Sequence, residues 1–179
     1  MTTSMDLSLW ETLRLQLSQP EYIHVMLHPL PIYGFGFGIF ALLVALFLRD
    51  RRAEVVGLLL ILVAALSAWP TVYFGEAAYD GVLGTLSLSD KEGAAWLDEH
   101  LDRGTDLLWV FHTVAAVTLA ALILPIWLPK AGRPLAVLAL LGAIVALGCG
   151  AWIGYAGGKI RHKEFRYGPP AQLSAKHDS

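Results

Sequence analysis

LPIYGFGFGIFALLVALFL, from Leu30 to Leu48, holds no charged side chain and stops at Arg49, Asp50, Arg51 and Arg52. A hydrocarbon core about 30 Å thick takes about 20 helical residues, so this run has the length of one membrane crossing. Three more such runs follow, Val55–Phe74, Leu107–Leu128 and Leu135–Ala156. The links at Arg49–Arg52 and at Pro129, Lys130, Gly132, Arg133 and Pro134 are short, which predicts antiparallel hairpins. Gly34, Gly36, Gly38, Pro70 and Pro125 fall inside the runs, where membrane helices tolerate them. The expected fold is therefore all-α, an integral membrane bundle of four transmembrane helices.

Composition points the same way. Of 179 residues, 56% are apolar and only 16% charged, against about 25% charged in a soluble domain. The net charge of −2, with no basic patch, argues against nucleic-acid binding. One cysteine, Cys149, excludes an intrachain disulfide and any cysteine-held zinc or iron–sulfur centre.

Outside the crossings, Ser8 to Gln19 places Leu9, Trp10, Leu13 and Leu17 on one stripe behind a Ser8/Glu11 capping box. The chain thus divides into an amphipathic interfacial helix at 1–20, a four-helix domain at 21–166 and a polar, extended tail at 167–179. An insertion at 75–104, with a helix start near Ser89–Glu92, joins the second and third crossings. Arg49, Arg51, Arg52, Lys130 and Arg133 put the hairpin loops in the cytoplasm and both termini outside, whereas Lys159, Arg161, Lys163 and Arg166 argue the reverse.

His24, His28, His100, His112 and His162 all map to the end of the bundle opposite the hairpin loops. His28 lies about 31 Å before Arg49 along a helix and His112 about 25 Å before Pro129, so the two reach similar depth. Glu76 arrives at the same level. An ionisable side chain at membrane depth is a functional candidate by default, and two imidazoles on different helices suit axial ligation of haem b. The expected ligands are His28 and His112, with His24 in reserve one turn before His28. A non-haem metal or transport site would draw on His24, His28, Glu76 and His112, and Asp80 stands four residues after Glu76 as a further carboxylate. Charged neighbours predict solvated His100 and His162, and His177 lies in the tail. Gly142, Ala146, Gly150, Gly154 and Gly158 form a stripe that reads first as helix packing. Trp69, Tyr73, Trp109, Trp152 and Tyr155 read as an interfacial belt, in which a few rings have room to line a quinone pocket.

His28-Pro-Leu-Pro-Ile32, opening the first crossing, and Gly154-Tyr-Ala-Gly-Gly-Lys-Ile-Arg-His162, closing the fourth, resemble the motifs of a family of small bacterial four-helix membrane proteins of unknown function. The resemblance spans about Tyr22 to Arg166 and implies a multi-pass protein of the bacterial inner membrane. By architecture the chain is also similar to membrane cytochrome b subunits. Together these readings give an expected function: a b-type cytochrome subunit carrying electrons between a quinone pool and a periplasmic redox partner. The alternatives are a non-catalytic scaffold or assembly subunit, whose acidic loop docks a partner, and the non-haem metal or transport site.

Overall fold

The computed structural model describes residues 8–168 and residue 170. The expected polar tail, with His177, lies largely outside the described residues. Seven α-helices occur among the described residues: α1 (Leu9–Leu17), α2 (Pro20–Leu27), α3 (Pro29–Leu48), α4 (Arg51–Ser89), α5 (Lys91–Asp106), α6 (Leu108–Ile123) and α7 (Gly132–Arg161). Four helical stretches, Pro20–Leu48, Arg51–Ser89, Lys91–Ile126 and Pro129–Arg161, are long and apolar enough to cross a membrane. Phe37, Phe40, Phe47, Val63, Leu66 and Leu138 are exposed on their outer faces. An apolar exterior around an apolar core needs lipid as its solvent, so the chain is a multi-pass membrane protein.

Local chemistry sets the helix ends. Ser8 and Glu11 form the expected capping box, with the Glu11 carboxylate 2.8 Å from the Ser8 amide. Arg49 takes a left-handed conformation, φ 60°, and Asp50 then caps α4 by accepting from the Arg52 amide at 2.8 Å. Asp90 caps α5 in the same way through the Gly93 amide at 3.0 Å. The hairpins α3–α4 and α6–α7 form as expected.

Glycine decides how closely the first hairpin packs. A Cβ on Gly57 would lie 2.8 Å from the Leu42 backbone, and one on Gly38 would lie 2.7 Å from the Ile61 side chain. The crossing of α3 and α4 is therefore made backbone to backbone. Phe35, Leu42, Leu58, Ile61, Phe111 and Leu140 fill the core with a layer of buried alanines.

One boundary differs from expectation. The second crossing was expected to end at Phe74, but α4 continues without a break to Ser89. The insertion at 75–104 is consequently helical everywhere except Asp90, its two arms being the end of α4 and most of α5. Falling hydropathy marks where a helix leaves lipid, not where its hydrogen bonding stops. At about 58 Å, α4 outruns the hydrocarbon core, and its distal half forms an extramembrane hairpin with α5.

Candidate functional site

The histidine end is built where α2, α4, α5 and α7 meet. His24 and His28 are four residues apart, and the chain stays helical through His28 at φ −51° and ψ −37°, which stacks the two rings on one face. Their centroids are 5.9 Å apart. His100 arrives from α5, 6.1 Å from His24 and 6.3 Å from His28. Three imidazoles from two regions of the chain thus form a nearly equilateral triangle.

Two of the rings are pinned by the same device. His24 Nδ1 lies 2.8 Å from the Thr71 carbonyl oxygen, and His100 Nδ1 lies 2.9 Å from that of Ile153. A carbonyl only accepts, so both nitrogens carry the proton and donate, and in each neutral ring Nε2 keeps its lone pair. A helical side chain covers the turn before its own Cα, so the residue that would screen each acceptor stands four positions later. Those residues are Gly75 and Gly157. A Cβ on either would come within 3.0 Å of the imidazole it faces.

The acceptors share a level. Thr71 stands about 30 Å along α4 from Arg51, and Ile153 about 30 Å along α7 from Arg133, which is one hydrocarbon thickness from the hairpin loops. The histidines therefore sit where the bundle meets its extramembrane hairpin. Arg103 fastens α5 one turn beyond His100: it donates to the Trp152 carbonyl at 2.9 Å, pairs with Glu99 at 2.9 Å and covers the Trp152 ring at 3.8 Å.

The other sequence candidates lie elsewhere. His112 is exposed on the outer face of α6 and outside the triangle. Glu76 and Asp80 are exposed on α4. His162 faces the Glu164 carboxylate at 2.9 Å in an exposed pair. His100, expected in solvent, is instead partly buried in the triangle, because it falls on the stripe of α5 that also carries Gly93, Trp96, Leu97 and Gly104. That spacing was the available signal. The glycine stripe of α7 packs on Ile32 at Gly150 and Gly154 and on Val114 at Gly142, as ordinary helix packing requires.

Zinc–nitrogen bonds of about 2.0–2.1 Å would place three imidazole centroids about 5.3 Å apart around one ion. The rings stand roughly 0.6–1 Å wider than this. Among the described residues, no three His, Cys, Asp or Glu side chains are already arranged to hold a metal ion.

No family model, curated protein or solved structure matches the chain. Neither the resemblance to the small bacterial four-helix family nor the likeness to cytochrome b subunits is thereby supported.

Proposed function

We propose that this multi-pass membrane protein binds one late first-row transition-metal ion through His24, His28 and His100, at the junction of bundle and extramembrane hairpin. One observation carries the reading. Two of three clustered imidazoles donate Nδ1–H to backbone carbonyls across helix–helix contacts, which is the outer-shell arrangement that fixes the tautomer and orientation of metal-ligating histidines. Three rings within about 6 Å, two of them seated on bare glycine turns, form a set of borderline nitrogen donors that small rotamer adjustments would bring onto one ion. Copper in this position would supply one-electron chemistry, and zinc would supply Lewis acidity.

The donor set does not fit haem b. Axial imidazoles flank a porphyrin from opposite faces, whereas a third ring about equidistant from the other two occupies the plane the macrocycle would need. His112, the expected partner of His28, is exposed on another face.

Elemental analysis and an optical spectrum of the detergent-purified chain test the proposal. The expected result is one copper, nickel or zinc ion per chain without a Soret band, and less than a tenth of that metal in His100→Ala. A Soret band, or metal content unchanged in both His100→Ala and His24→Ala, would contradict it.

A further inference from the structure

Lys159 is a charged residue only 4% exposed, in the last turn of α7. Lysines there are ordinarily solvated and favoured by the helix dipole. This one is folded inward. Its Nζ donates to the Tyr155 hydroxyl at 2.7 Å and lies 4.2 Å from the Trp96 ring centroid and 4.1 Å from that of Tyr155. Two aromatic faces and one hydroxyl replace part of the lost hydration, but two of the three ammonium donors remain. No carboxylate among the described residues pairs with it: Asp90, the nearby acid of the α4–α5 turn, is held by Arg166 and Lys163. A buried cation without a counter-charge is expensive and calls for an anion.

An open, largely apolar pocket of about 350 Å³ lies against Lys159, lined also by Gly154, Tyr155, Gly158, Phe165 and Tyr167. Gly158 gives it room, since nothing lies within 4 Å of where a Cβ would stand. Tyr167, 91% exposed, forms an outer wall. Lys159 is about 39 Å along α7 from Arg133, about 9 Å past one hydrocarbon thickness and so at the polar face of the membrane.

We propose that this cavity binds the phosphate of an anionic phospholipid headgroup. Lys159 Nζ supplies the charge and donors, the Tyr155 hydroxyl a further hydrogen bond, and Phe165 and Tyr167 apolar walls for the glycerol body. The chemistry recognised is a phosphate ester. Depth and apolar walls favour lipid over the free ion.

Native mass spectrometry tests the site on the full chain exchanged into phosphatidylglycerol or phosphatidylcholine, with inorganic phosphate as competitor. The wild type is expected to retain one phosphatidylglycerol about ten times better than phosphatidylcholine. Lys159→Gln removes the charge, and Gly158→Leu sends a side chain into the pocket from a position where a Cβ meets nothing within 4 Å, so each is expected to abolish that selectivity. The exposed Arg161→Gln should preserve it. Equal retention of the two lipids, or full selectivity in Gly158→Leu, overturns the proposal. Displacement of the lipid by millimolar phosphate identifies the free ion as the ligand and overturns the lipid assignment.

Discussion

The two ends of the bundle use one device with different side chains. At the hairpin end, Arg51 donates to the Ala121 carbonyl at 2.9 Å and Arg133 to the Leu46 carbonyl at 3.1 Å, tying neighbouring helices together. At the far end, His24 and His100 do the same to Thr71 and Ile153. A guanidinium has five donors, no lone pair and a charge it never loses, so its chemistry ends with the tie. A neutral imidazole that donates from Nδ1 still holds a lone pair on Nε2. Both ends are fastened, and only one keeps coordinating capacity.

Substitutions that sharpen this contrast fall in order of size. Gly57→Ala should act most strongly and only on stability, because its Cβ meets the Leu42 backbone, which cannot move aside as a side-chain tip can. A loss of about 3 kcal/mol is expected, read as a fall in the detergent unfolding midpoint. Metal content per folded chain should be unchanged.

Gly75→Ala and Gly157→Ala probe the other end. Each Cβ would press within 3.0 Å of an imidazole and turn it from its carbonyl, so metal affinity should fall about 10–100-fold by titration calorimetry. Arg133→Gln removes a tie of the same type at the hairpin end and should leave that affinity intact. Equal effects of the three variants on metal binding would erase the distinction between the ends.

The extramembrane hairpin gives a pH test. The Asp90 carboxylate accepts from the Arg166 guanidinium at 2.9 Å through both oxygens, and this pairing, then the Gly93 amide bond, holds its pKa down at about 2. Lys163 adds a weaker contact at 3.7 Å. A depressed carboxylate contributes stability that is present above its ordinary pKa of about 3.8 and lost as pH falls toward 2. Hydrogen exchange of α5 amides should accelerate over that window, and Asp90→Asn should flatten the response. Arg166 also donates to the Lys159 and Ile160 carbonyls, so its loss uncaps α7 as well.

The smallest change expected is Ser8→Ala. Loss of the capping box should fray α1 by about 1 kcal/mol and leave both bundle ends untouched. Faster exchange confined to Leu9–Leu17 is the signature.

The crossings were legible in the sequence because uncharged runs of one membrane thickness, stopped by Arg49–Arg52 and Pro129–Pro134, admit little but helical hairpins. The histidine end was legible only as a level. Counting along helices brought His24 and His28 to one end of the bundle but could not tell which way a ring turns, so His112 was paired with His28 although it faces outward. His100 was set aside for its charged neighbours, yet two of those, Glu99 and Arg103, pair with each other against Trp152 instead of drawing it into water, and the Trp96–His100–Gly104 spacing marks the buried stripe. The carbonyls of Thr71 and Ile153 leave no trace in the sequence, since every residue has one. Only Gly75 and Gly157, each four positions on, hint that a turn is bare. Lys159 was read as a topology signal, and nothing in its neighbours showed that it folds inward.

The central claim is that three imidazoles converge on one ion. Electron paramagnetic resonance of the intact chain carrying one equivalent of Cu(II) measures this directly, through nitrogen couplings to the metal. Couplings from three imidazole nitrogens, falling to two in His100→Ala, are the result this account predicts. A signal of aqueous copper, or a three-nitrogen pattern unaltered by that substitution, would contradict it.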